Sequence, residues 1–309
     1  MLLRNFRNSL AFLLFTSNIY SLIAQDAEKL FNKGYHLLTI DNNEAIKYLS
    51  ESILTDSSNA EAYYFRGMAY YKTGLYREAL RDLNKAMSLD NEWALVNIFK
   101  GFCYRKLDLY DSAIYFFTKY IEEYPEDTSA YSYILRGKVR YENGDVEGSL
   151  KDFERASNLR PIEEKYYYYK FLSHFDIGDF KGALIQINKA IDLNPEFYGY
   201  YFNRGNTYFE LQDYNNAISN YNYVIKLNVS NAEAYYQRGR AEHSQKRLEQ
   251  AIEDYSTAIA YNEKDGTYFF YRGHAKMDMG NKNGACLDWY EACALGYYEN
   301  FDKIRSICE

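Results

Sequence analysis

The sequence predicts an all-α solenoid, in which antiparallel helix pairs are stacked in single file and closed by a C-terminal helix. Three observations carry this. Gly67, Gly101, Gly137, Gly205, Gly239 and Gly273 recur at spacings of 34 residues or close multiples, with Phe171 standing where one glycine is missing and two extra residues falling near 125–129. Twelve residues after each of these stands a small residue (Ala79, Ala113, Ser149, Ala183, Ala217, Ala251, Ala285), and seven further on Ala86, Ala156, Ala190, Ala258 and Ala292 recur. Small residues seven apart share one helix face and let a neighbouring helix approach closely. Finally, the residue before each glycine, or its stand-in, is always basic.

Taken in order, residues 1–24 carry Arg4, Arg7 and no acid, followed by the apolar run from Leu10 to Ala24. This pattern predicts a secretory signal peptide cut after Ala24, which takes the formal charge from −7 to −9; the alternative is an uncleaved anchor, although Ser17, Asn18 and Ser21 interrupt the run. The repeats are expected over 25–295. A weak first unit begins near Ala27, with Gly34, an early Ala45 and Leu49 to Ile53 as its second helix; seven stronger units follow from Ala60. Gly74, Gly144, Gly178 and Gly280 are expected in the turns within pairs. Polar stretches such as Asp90 to Trp93 separate units, and Pro125, Pro161 and Pro195 close others. After Gly296, residues 296–309 are expected to form a capping helix, because the last unit of a stack would otherwise expose an apolar face.

This combination of period, glycines, tyrosines, alanines and closing prolines resembles the tetratricopeptide repeat family over nearly the whole chain after residue 24. The resemblance implies a right-handed superhelix whose first helices line a concave groove, and a non-catalytic scaffold that holds an extended segment or a helix of a protein partner there. Carried onto this chain, the groove positions are Tyr64, Met68, Tyr71, Phe102, Arg105, Lys138, Tyr141, Tyr168, Phe175, Phe202, Asn206, Phe209, Tyr236, Arg240, His243, Phe270 and His274. Ile98, Ile134 and Leu172 at the same positions are expected to be partly core. Some relatives grip a terminal carboxylate with Lys and Asn on successive first helices. Here Asn206 keeps one place, but Phe202 replaces the Lys, and Gln237 and Tyr271 replace its supports, which disfavours that mode.

The basic positions are Lys33, Arg66, Lys100, Arg136, Lys170, Arg204, Arg238 and Arg272. Sixteen residues on, Arg66, Arg136, Arg238 and Arg272 meet Asp82, Asp152, Asp254 and Asp288, while Arg204 meets Asn220. Where no Asp or Asn follows, the basic residue is Lys: Lys100 with Phe116, Lys170 with Gln186 and, one residue short, Lys33 with Tyr48. A guanidinium fork matches a carboxylate in two places and an ammonium does not, so the spacing predicts an ion-pair ladder between paired helices. The competing reading is a basic stripe that meets an acidic ligand.

With 36 basic against 43 acidic residues and no basic block, nucleic acid is an unexpected partner. No stretch after residue 24 is apolar enough to span a membrane. Cys103, Cys286, Cys293 and Cys308 form no CxxC pair and the four histidines are scattered, so neither a metal nor a cofactor is expected. A hairpin turning at Gly296 brings Cys286 and Cys308 near each other, either as a disulfide or as two free thiols. No nucleophile elbow, phosphate loop or paired-carboxylate motif is present, so no catalytic residue is named. The expected location is the periplasm, cell envelope or exterior. Alternative roles are a glycan-binding or enzyme-accessory module, or an intracellular adaptor if the leader is retained.

Overall fold

The computed structural model describes residues 24–90, 94–124, 130–299 and 301–309. The leader up to residue 23, the separator residues 91–93 and the insertion at 125–129 lie outside the described residues. Every regular element among the described residues is helical. Residues 24–37 form α1, which is followed by α2 (Asn42–Thr55), α3 (Ala60–Lys72), α4 (Tyr76–Leu89), α5 (Ala94–Lys106), α6 (Tyr110–Glu123), α7 (Ala130–Glu142) and α8 (Val146–Leu159). Then come α9 (Glu164–Asp176), α10 (Phe180–Leu193), α11 (Tyr198–Glu210), α12 (Tyr214–Leu227), α13 (Ala232–Ser244), α14 (Leu248–Tyr261), α15 (Gly266–Asp278), α16 (Lys282–Ala294) and α17 (Phe301–Cys308). The chain divides into two compact units, Met1–Asp152 and Phe153–Glu309.

Within each unit, consecutive helices pack pairwise: α3 on α4 and α5 on α6 in the first, α9 on α10, α11 on α12, α13 on α14 and α15 on α16 in the second. Inside a unit, second helices also pack on the next first helix, as α4 does on α5 and α12 on α13. Pair-closing turns place one residue in the left-handed region. Glycine fills it at Gly74, Gly144, Gly178 and Gly280, with φ between 75° and 86°, but Asp108, Gln212 and Lys246 fill it in other units with φ of 56°, 60° and 62°. The same reverse hydrogen bond closes both kinds of turn: Leu75 N donates to Tyr70 O at 2.8 Å, and Leu109 N to Tyr104 O at 2.9 Å. That shared bond holds the turn where no glycine is present.

Signature glycines sit where a first helix crosses a bulky residue of the second. A Cβ at Gly205 would lie 2.7 Å from Tyr221 Cε1, and one at Gly273 would lie 2.7 Å from Trp289 Cδ1. Phe171 reverses the arrangement. It fills the glycine's place with a large ring, and its partner sixteen residues on is the smaller Ile187; both are buried in one cluster. Volume is conserved across the pair, which is the change a close-packed core tolerates best.

At the C-terminal end Gly296 turns the chain at φ 89°, and α17 lays Ile304 against Phe270 and Trp289. Trp289 Nε1 donates to Phe270 O at 3.2 Å. Cys286 and Cys308 are joined by a disulfide with Cα atoms 5.7 Å apart, tying α17 to α16. Cys103 and Cys293 are free, and burial pushes the Cys103 thiol up to about 12, leaving it inert as a nucleophile at neutral pH.

Candidate functional site

Two sets of side chains repeat along the first helices: the ladder and the groove positions. In the ladder, Arg66 Nε and Nη2 donate to the two oxygens of Asp82 at 2.6 and 2.8 Å, Arg136 to Asp152 at 2.9 and 2.7 Å, Arg238 to Asp254 at 2.8 and 2.6 Å, and Arg272 to Asp288 at 2.9 and 2.7 Å. The third nitrogen, Nη1, reaches back to the preceding second helix: from Arg66 to Ser50 Oγ at 3.0 Å, from Arg136 to Thr118 Oγ1 at 3.2 Å, and from Arg272 to Ser256 Oγ at 3.0 Å. Each guanidinium therefore joins three helices. Pairing Arg with Asp by spacing misses this second reach, although a polar residue sixteen positions upstream of Arg66 and Arg272 marks it in the sequence. A second cation also serves two of the acids, with Arg140 Nη1 2.9 Å from Asp152 and Lys276 Nζ 2.8 Å from Asp288.

The lysine positions use aromatic faces. Lys33 Nζ lies 4.0 Å from the centroid of Tyr48 and donates to its hydroxyl at 2.7 Å, and Lys100 Nζ lies 4.2 Å from that of Phe116. These cation–π contacts account for Lys beside Tyr or Phe. Burial holds the ammonium groups of Lys100 and Lys170 below their ordinary value. Gln186, beyond Lys170, keeps a buried Oε1 with no hydrogen-bond partner among the described residues.

Three expected groove residues are core instead. Tyr64 packs edge-on to Phe99 of the next first helix at 5.7 Å, Tyr236 against Tyr268 at 5.1 Å, and Phe270 against Tyr297 at 4.8 Å; each is less than a tenth exposed. The reason is geometric: this position of a first helix points toward its successor, and the ring fills the space between the two. Other groove positions are half-buried. Tyr71 stacks on Phe102 at 5.9 Å, and Met68, Lys138 and Tyr141 are likewise half-buried. Arg105 is held by both oxygens of Glu142, through Nε–H at 2.7 Å and through Nη2.

In the second unit Tyr168 stacks on Phe171 at 5.8 Å, and Phe202 tilts on Tyr221 at 5.9 Å. Asn206 Oδ1 accepts from the Tyr221 hydroxyl at 2.9 Å. The Arg240 guanidinium lies 4.5 Å from the Phe209 centroid and donates to Gln237 Oε1 at 2.9 Å; among the described residues it makes no ion pair. Arg240, Gln237, Asn206, Phe209, Phe175, Tyr221 and Glu210 line a cavity of about 130 Å³. His243 Nε2 contacts Asp278 at 3.2 Å, and burial lowers the His274 imidazole from its usual value. Among the described residues no group of three His, Cys, Asp or Glu side chains could hold a metal, and no helix is long and apolar enough to cross a membrane.

Tetratricopeptide repeat family models match residues 60–93, 100–127 and 202–266. The C-terminal part of a tetratricopeptide repeat protein from Cytophaga hutchinsonii is 18% identical, with a TM-score of 0.68 over 79% of this chain and 98% of that one. A tetratricopeptide repeat protein from Parabacteroides merdae is likewise 18% identical, with a TM-score of 0.60 over 82% and 98%. YrrB, described as having an unusual peptide-binding site, is 20% identical with a TM-score of 0.51 over 62% and 97%. No curated protein matches the chain.

Proposed function

Because the chain is a tetratricopeptide repeat protein, we propose that it is a non-catalytic scaffold that holds an extended segment or a helix of a partner protein along its first helices. The observation that carries this reading is the Arg240 cavity. A guanidinium resting on Phe209 with no ion pair among the described residues, although Glu210 lines the same cavity, next to half-buried Phe175 and the Asn206 and Gln237 amides, offers apolar contact with a cation available to a partner's acid. Arg105 serves this purpose less well, since Glu142 already neutralises it. YrrB, with the same fold, is described as having a peptide-binding site, which supports the mode and not any particular ligand. The leader over residues 1–24 would carry the chain out of the cytoplasm, a route in keeping with the Cys286–Cys308 disulfide.

Selection from a displayed random-peptide library on the immobilised chain starting at Gln25 tests the reading. We expect enriched peptides to carry acidic and aromatic residues and to lose at least about tenfold in affinity on Arg240→Glu or Phe209→Ala, with helical circular dichroism unchanged. Failure to enrich any peptide, or enrichment indifferent to both substitutions, overturns the reading.

A further inference from the structure

The ladder contains one arginine with no acid. Arg204 Nε donates to Asn220 Oδ1 at 2.8 Å and Nη1 to Asn188 Oδ1 at 2.8 Å. In the four Asp-bearing units Nη2 donates to the second carboxylate oxygen; here that place is taken by Asn220 Nδ2, itself a donor, which turns to Asn216 O at 2.7 Å. Nη2 of Arg204 thus has no acceptor among the described residues, and no carboxylate lies within ion-pair distance of the guanidinium.

That cation opens into a pocket of about 310 Å³ between α11 and α12, lined by Tyr201, Tyr208, Asn216, Ser219, Asn220 and Tyr223. One period later the equivalent pocket, about 360 Å³ around Arg238, replaces Tyr208 with Glu242, Ser219 with Glu253 and Asn220 with Asp254. Three acids in one pocket become a tyrosine, a serine and an amide in the other, while the arginine and the tyrosine beside it (Tyr201, Tyr235) are kept. The rings of Tyr201 and Tyr223 lie 4.1 Å apart, and the Arg204 guanidinium sits 5.2 Å from the Tyr201 centroid. Two acids stand nearby: Asp213 accepts from the Asn216 side chain at 2.7 Å, and Glu196 acts on Tyr201 through its charge.

We propose that the Arg204 pocket binds the carboxylate of an acidic sugar, with the sugar ring against the tyrosines. A single partly buried cation that lines the pocket and keeps one donor nitrogen unbonded matches a monoanion, and a ligand carboxylate can accept from Nη2 without displacing Asn220. A dianionic phosphate would leave one charge unmatched. Tyrosine faces offer a flat apolar platform, and the Ser219 hydroxyl and Asn216 amide stand where sugar hydroxyls would need partners. The pocket volume suits one pyranose ring rather than a length of peptide.

Isothermal titration of the chain starting at Gln25 with sodium glucuronate, at constant ionic strength, tests the proposal. Glucose, sodium sulfate and N-acetylglutamate amide are the comparison ligands. We expect glucuronate to saturate with a Kd below about 1 mM and to bind at least tenfold more tightly than each comparison ligand. Asn220→Asp supplies the internal carboxylate found in the other units; it should abolish glucuronate binding and raise the thermal midpoint. Tyr223→Ala, at an exposed site, should weaken glucuronate at least fivefold without changing helicity, and so keeps the test decisive if Asn220→Asp folds poorly. Absence of glucuronate saturation, equal binding to Asn220→Asp, or glucose binding as tightly as glucuronate overturns the proposal. Equal binding by sulfate or the capped glutamate also overturns it, assigning the pocket to a bare anion or an acidic peptide.

Discussion

The adjoining pockets around Arg204 and Arg238 have the same backbone, the same arginine and the same flanking tyrosine, yet opposite electrostatics. Around Arg238 three carboxylates face one guanidinium, and Glu242 draws in Arg247 at 3.1 Å as further compensation. Around Arg204 the partners are amides and the charge is left over. The contrast teaches that the arginine's position is a requirement of stacking, whereas its counter-charge is free to vary. A unit that gives up its acid retains the three-helix joint through hydrogen bonds to neutral amides and gains an unneutralised cation.

Cutting the two arginines separates these pockets most sharply. Arg238→Met leaves Asp254 buried with no guanidinium and should cost about 3–5 kcal/mol, whereas Arg204→Met forfeits hydrogen bonds to neutral amides and strands no buried charge, and should cost about 2 kcal/mol. Urea unfolding of the two variants, followed by circular dichroism, measures the difference; equal midpoints would show that the carboxylate adds nothing to the joint.

A smaller effect comes from converting one pocket toward the other. Asp254→Asn should cost about 1–2 kcal/mol near neutral pH and should remove a pH dependence. Burial, chiefly, holds the Asp254 carboxyl above its ordinary value; the Arg238 hydrogen bonds and charge pull the other way, and Glu242 and Glu253 add to the rise. A folded value raised above the unfolded one means that the contribution is whole below the unfolded value and declines as pH climbs through the folded one. Melting midpoints between pH 4 and 7, taken as about the span of a perturbed carboxylate, should therefore lose part of their pH slope in Asp254→Asn.

The smallest change is Glu253→Gln. Its exposed side chain should alter stability by no more than about 0.5 kcal/mol, while lowering the Asp254 titration midpoint as read from its carboxyl ¹³C shift. A midpoint that stays fixed would mean that Glu253 contributes no field at Asp254.

Much of this fold is written locally. The glycines, the alanines seven apart and the charge sixteen residues on all report helix periodicity, which survives in a sequence because one register repeats. Turns were less legible, because Asp108, Gln212 and Lys246 adopt left-handed backbone that only hydrogen bonding to the preceding helix secures. The groove was least legible. A tyrosine that packs on the next helix, as Tyr64 and Tyr236 do, and one that faces open space occupy comparable helical phases, and burial is decided by the neighbour's side chains. The same holds for Arg204, whose missing acid is plain at Asn220 while the pocket it opens depends on Tyr208, about one turn along α11, and on Ser219 across in α12.

The backward reach of the ladder arginines bears on how the array comes apart. Where Arg66 or Arg272 grips the helix before it, neighbouring units share a joint and should open together. Lys100 makes no such reach, being occupied with the Phe116 ring of its own pair. Its junction with α4 lacks that arginine joint and includes the apolar cluster of Leu83, Ala86 and Val96. Cooperative melting should weaken at that junction, so that fraying from one side stops there.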